Sequence, residues 1–200
     1  MKSKLLRSTG ITSLFVFITS LLFTGCKKDS HDGGGGSSEY YLTATVDGKA
    51  WTANVKSTLN NAPAIAATTS SGSVSILFLV GINAVGNDST AIILIFPQNV
   101  EVSKTISFDA TKYSEGGYIA ETAPGATTYY SYNSTPATDG SGSFMITTFD
   151  QTNKLIEGTF SGTFGSQTSG RSAIQITNGK FRCPYTADVN QLPKSGGVKF

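Results

Sequence analysis

Histidine and cysteine are nearly absent from this 200-residue chain. The one histidine, His31, lies in a glycine-rich stretch, so whatever folds beyond it has none. That excludes Ser-His-Asp triads, Cys-His nucleophile pairs and the usual imidazole-bearing zinc and iron sites from the folded part. Charge is also scarce: Asp, Glu, Lys and Arg make up 14% of the chain, against about 25% in an ordinary soluble domain. No long basic run exists, and phosphate neutralisation along a nucleic acid needs several Lys or Arg together. The apolar run at the N-terminus, from Gly10 to Phe23, spans 14 residues, short of the roughly 20 that a spanning helix needs. Past residue 40 no segment sustains a helical period.

What stands at the N-terminus is a sorting signal. Lys2, Lys4 and Arg7 supply a positive start, and the short apolar run follows. It ends in Phe23-Thr24-Gly25-Cys26, which resembles the bacterial lipoprotein lipobox, with Phe23 where Leu is usual. The resemblance implies cleavage before Cys26 and acylation of its thiol and new amine. Each buried methylene contributes about 0.8 kcal/mol, and two or more acyl chains hold a protein stably on a membrane. Lys27 stands where the enterobacterial retention rule looks for Asp, which implies the outer membrane. Lys27-Lys28-Asp29 also resembles surface-export signals of Bacteroidota lipoproteins. Cell surface and periplasmic face both stay open.

The expected organisation is a signal peptide over 1–25, a lipidated Cys26 with a Gly/Ser-rich linker to 39, and one β domain over 40–200. Residues 183–200 are its candidate loose tail. The linker KKDSHDGGGGSSE has a root-mean-square reach of about 20 Å. Removing 1–25 leaves 12 basic and 13 acidic residues, a formal charge of −1. With Cys26 lipidated, Cys183 has no partner in the chain, and its apolar neighbours Phe181 and Pro184 favour burial.

The domain reads as all-β: an antiparallel meander forming a β-sandwich or flattened β-barrel. Leu42, Ala44 and Val46 alternate with Thr43 and Thr45, and Asp47-Gly48 then marks a two-residue hairpin leading to Trp51. SILFLVGI (75–82) and AIILIFP (91–97) are unbroken apolar runs, expected as strands covered on both faces, with a turn over 86–88. Shorter strands are expected around 105–108, 118–121 and 127–132, and a longer pair around an Asp150–Asn153 turn. In LIEGTFSGTF (155–164), Gly158, Phe160, Gly162 and Phe164 share one face, with rings expected to cover the glycines. Thr159, Ser161 and Thr163 share the other, which suits water. Asn178-Gly179 is either a tight turn or a bulge within one long strand.

ATVDGKAW (44–51), GTFSGTF (158–164) and AIQITNGKF (173–181) together resemble a group of Bacteroidota lipoproteins with a domain of unknown function. The resemblance implies an antiparallel β fold and an envelope address, and it carries no catalytic residue. The function expected is therefore a lipid-anchored, non-enzymatic binding or accessory module, with a glycan or another envelope protein as ligand. Alternatives are a structural coat lipoprotein without a small ligand, and a carboxylate-based hydrolase. The partners implied are the membrane, through Cys26, and that ligand; no cofactor, metal or nucleic acid is implied.

Candidate contact residues are Tyr113, Tyr118, Tyr129, Tyr130 and Tyr132, since tyrosine offers an apolar ring with a polar tip. Alternate tyrosines on a strand also pack cores. Glu115 and Glu121 are the closest carboxylate pair, but six extended residues separate them by about 20 Å. Glycosidase pairs sit about 5 to 9.5 Å apart, so a sharp turn at Gly116-Gly117 would be needed. Asp47, Asp88, Asp139 and Asp150 all fall in turn contexts. Asp88-Ser89-Thr90 resembles an O-glycosylation acceptor of Bacteroidota envelope proteins, also in an expected turn. Leu192-Pro193-Lys194-Ser195-Gly196 is excluded as a sortase signal, because no apolar span or basic tail follows it.

Overall fold

The structure, a computed structural model, describes residues 40–71, 74–86, 88–109, 114–123, 126–131, 140–165 and 172–187. Within them every regular element is a strand: β1 Tyr41–Val46, β2 Lys49–Thr52, β3 Ala64–Ser71, β4 Val74–Val85, β5 Asp88–Pro97, β6 Thr105–Ser107, β7 Glu115–Ala123, β8 Ala126–Ser131, β9 Ser141–Asp150, β10 Leu155–Phe164 and β11 Ile174–Thr186. No helix among the described residues is long and apolar enough to cross a membrane.

Two sheets share β11. The first holds β6, β9, β10, β11, β1 and β2; the second holds β3, β4, β5, β7 and β8. Residues Tyr185 and Thr186 at the end of β11 run parallel to Ala66 and Ala67 of β3, which carries the chain from one sheet into the other. The path ends in β6 on one side and β8 on the other, so the layers are open and sandwich-like, not a closed barrel. Three departures from a simple meander follow. The β11–β3 join is parallel, the first strand, β1, pairs with the last, and β6 crosses to pair with β9 while β5 pairs with β7.

The first hairpin is as the sequence implies. Val46 pairs with Lys49, and both turn residues are left-handed, Asp47 at φ 47° and Gly48 at φ 77°. Asp47 Oδ1 also accepts a bond from Gln175 N at 2.7 Å, tying the turn to β11. Asn178 resolves as a bulge: β11 is continuous, Asn178 has φ 53°, and the β10–β11 register slips between Phe160 and Gly162. β11 also reaches into the candidate tail, since 183–186 are strand.

Two apolar clusters sit on the two sides of the second sheet. Between the sheets lie Leu77, Leu79, Ile92, Leu94 and Phe96 from the second, and Leu42, Phe144, Ile146, Phe160, Phe164 and Phe181 from the first. Phe96 and Phe144 meet at 5.2 Å between ring centres, and Phe108 lies 5.9 Å from both Phe144 and Phe164. The rings cover glycines: a Cβ on Gly158 would sit 2.6 Å from Phe181 Cζ, and one on Gly179 2.7 Å from the Phe160 ring. On the far side of the second sheet, Ile65, Ile76, Phe78, Val80, Ile82, Ile93 and Ile95 form the other cluster, with Val55 and Leu59 packed against it. The 76–82 and 91–96 runs are thus buried on both faces, as their unbroken apolarity implies. Asn54 pins the covering loop: its amide bonds both Ala84 O and Ala84 N, at 2.9 and 2.8 Å.

Candidate functional site

Cross-strand partners share a face, so the registers assemble the outer surface of the first sheet residue by residue. Thr52, Thr43, Lys180, Thr159, Met145 and Thr105 form one row across all six strands. At strand spacing that row is about 24 Å long. A second row holds Ser161, Ser143 and Ser107; a third holds Gln175, Thr163 and Ser141. Every residue in these rows is exposed or half-buried. This is the water-facing side that Thr159, Ser161 and Thr163 mark in the sequence, widened by five further strands.

At one end of the face lies a row of Tyr41, Arg182, Glu157 and Thr148. Arg182 Nη1 pairs with Glu157 Oε1, and Thr148 Oγ1 donates to Glu157 Oε2 at 2.7 Å. The two charges are therefore neutralised within the face itself. Gln175 Nε2 similarly donates to Thr163 Oγ1 at 2.9 Å. The result is a broad surface of hydroxyl and amide groups on which Lys180 adds one exposed positive charge.

The tyrosines divide. Tyr118 on β7 is half-buried and packs against the cluster between the sheets, which is the packing role. Tyr130 registers opposite Tyr118 and Tyr129 opposite Ile119, on β8 at the end of the strand order. Tyr113 and Tyr132 lie outside the described residues, as do Cys26, Asp139 and the linker.

The carboxylate pair is not brought together. β7 runs extended from Glu115 through Ala123, paired with β5 from Ile95 to Ser89, so there is no turn at Gly116-Gly117. Glu115 and Glu121 keep a backbone separation of about 20 Å, beyond glycosidase range. Glu115 itself is unusual: buried, with Oε1 unpartnered, and pushed up to about 7 by desolvation. Nothing in its sequence context singles out that burial. Among the described residues no group of three or more His, Cys, Asp or Glu is placed to hold a metal ion.

Three smaller readings resolve. Cys183 is fully buried, and burial pushes its thiol far above the ordinary range, so it is inert while the fold holds. Asp150 accepts from Thr152 N, Asn153 N and Asn153 Nδ2, and those bonds with Asn153 lower its pKa. Asp88-Ser89-Thr90 is not a turn. It opens β5, with Ser89 paired to Ala84 on one side and Glu121 on the other, and Thr90 Oγ1 accepts Trp51 Nε1 at 2.8 Å. Both hydroxyl residues are half-buried within a paired strand.

Scans against protein-family models, curated proteins and solved structures return no match.

Proposed function

We propose that this chain is a lipid-anchored, non-enzymatic binding or accessory module of the bacterial outer membrane, held by an acylated Cys26. Its ligand is a glycan or another envelope protein, met on the outer face of the first sheet. The observation that carries the reading is that face: six strands wide, lined largely by serine and threonine, with the Arg182–Glu157 pair satisfied within it and Lys180 as its exposed cation. Such a surface offers many neutral donors and acceptors and repels neither a sugar polymer nor a polar protein surface. The lipobox-like Phe23–Cys26 segment and the 13-residue linker supply the tether.

Two measurements test it. Mass spectrometry of the mature chain is expected to show acyl groups on an N-terminal Cys26; an unmodified thiol or a retained residue 1 overturns the anchor. A glycan array and purified envelope proteins, probed with wild type and with Thr43→Glu/Thr159→Glu, test the face. Binding that the double variant loses while keeping its fold supports the reading. Silence on both panels favours a structural coat with no small ligand, and retained binding by the variant places the contact elsewhere.

A further inference from the structure

Among the residues whose burial is described, one carboxyl interrupts the buried outer side of the second sheet. Glu115, the first residue of β7, registers opposite Ile95, which belongs to the outer apolar cluster. It is 3% exposed, and its Oε1 has no hydrogen-bond partner. Among the described residues, the strands packed beside it offer no counter-charge, and Lys56 on the covering loop is exposed. On β5 the residues sharing its face are Ile95, Ile93 and Ala91, and on β4 the residue opposite Ile95 is Phe78. The described β8 pairing stops at Gly117–Ser131, and its titratable residues are the tyrosines 129 and 130. The neighbouring Ser114 hydroxyl is turned to Ser107 O at 3.0 Å. Asp109 meets Ser114 through backbone bonds of 2.6 and 3.1 Å. Glu121 lies about 20 Å along the same strand.

The opposite side of β7 is pressed onto the core. A Cβ on Gly116 would lie 2.7 Å from Phe164 Cζ and 3.0 Å from Phe108 Cζ. Those rings belong to the first sheet's side, Phe164 ending β10 and Phe108 following β6. The start of β7 is thus clamped: glycine backbone against two rings on one side, an unpaired acid among aliphatic residues on the other. An ionised carboxylate in that place must reach water, and movement of this segment brings it there while lifting Gly116 off both rings.

We propose that Glu115 is a proton-operated latch between the two sheets: neutral, it seats the start of β7 on Phe108 and Phe164; ionised, it releases that seat and the Asp109–Ser114 bridge. This goes beyond the binding role and stands whether or not a ligand is found. The sign follows from desolvation, which raises the carboxyl from 4.5 to about 7 in the closed state. The closed state therefore holds its proton more tightly. It is most favoured below about pH 4.5, and it loses that advantage as pH rises towards 7. Over that window the local opening equilibrium grows by up to tenfold per pH unit, about fortyfold between about pH 5 and about pH 7.

The test is hydrogen exchange of the full mature chain in detergent micelles at those two pH values, corrected for intrinsic exchange. Amides of 115–119 are expected to lose about fortyfold in protection while β10 stays constant, and Glu115→Gln is expected to abolish the dependence. Unchanged wild-type protection, an equal loss in β10, or an equal pH effect in the variant overturns the proposal. Should Glu115→Gln fail to fold, carboxyl-carbon NMR of the wild type decides. One glutamate titrating near 7 supports the latch; all of them titrating in the ordinary range overturns it.

Discussion

The two sheets solve the same packing problem with different sequence codes. In the first, β10 alternates strictly: Ile156, Gly158, Phe160 and Phe164 face inward, while Glu157, Thr159, Ser161 and Thr163 face out. In the second, β4 and β5 are apolar at every position from 76 to 82 and from 91 to 96, and every one of those residues is buried. Alternation reports one dry face and one wet one; continuity reports two dry faces. The contrast teaches where chemistry can sit. The first sheet presents a polar surface to water, whereas on the second even one carboxyl, Glu115, becomes a titrating liability.

The largest expected effect comes from the glycines of the first sheet. Gly158 lies beneath Phe181, and a Cβ there would also sit 2.4 Å from Met145 O, a backbone atom that cannot turn aside. Gly158→Val is expected to cost more than about 4 kcal/mol, because overpacking and loss of strand pairing coincide. Urea unfolding read by Trp51 fluorescence should then show no cooperative transition; a near-native midpoint would mean that the strands can separate without penalty. Ile93→Asp and Thr159→Asp sharpen the contrast directly. Ile93 is 1% exposed, so an aspartate there leaves a buried charge unpaired and is expected to cost several kcal/mol. Thr159 points to water, and the same aspartate should change stability by about 0.5 kcal/mol or less. Equal costs at the two positions would erase the distinction between a wet and a dry face.

That distinction was legible residue by residue. The alternation at 158–164, the unbroken runs at 76–82 and 91–96 and the Asp47-Gly48 hairpin all carry local signals, because each depends on the period of the strand itself. Three features carry none. β3, Ala64–Ser71, carries no local strand signal: alanine and serine have little strand preference, and they are tolerated because Ala66 and Ala67 sit where Tyr185 and Thr186 of β11 cross over. The continuation of β7 through Gly116-Gly117 reads locally as a turn, yet the β5 register and the Phe108 and Phe164 rings hold it extended. The burial of Glu115 depends on residues remote in sequence, so no local pattern announces it. At the polar face, single strands advertise their hydroxyls, but the pairing of β1 with β11 that joins them is a long-range contact between the two ends of the domain.

A smaller effect probes the seam between the sheets. Trp51, on the first sheet's hairpin, donates to Thr90 of the second at 2.8 Å. Thr90→Val keeps the shape and removes the acceptor, leaving the indole N–H unpaired in a mostly buried site. The expected loss is about 1 to 2 kcal/mol, with a shifted Trp51 emission maximum. Iodoacetamide labelling of Cys183 gives a second readout, since the thiol lies in the cluster between the sheets. Labelling should be slow in the native chain and faster in Thr90→Val, in proportion to the lost stability.

The smallest effect belongs to the wet face, and its size is the point. Glu157 accepts from both Arg182 and Thr148, and the side chains of Arg182 and Glu157 keep 29% and 23% of their surface in water. Solvent at that level screens the pair, so a double-mutant cycle with Arg182→Met and Glu157→Gln is expected to give a coupling of about 1 kcal/mol or less. It should shrink further when salt is raised from about 0.1 to about 1 M, as the screening length falls from about 10 to about 3 Å. A coupling above about 3 kcal/mol, insensitive to salt, would be the signature of a desolvated pair. The first sheet's outer surface would then be covered as the second's is, and a ligand would have to displace that cover before it could meet the hydroxyl rows.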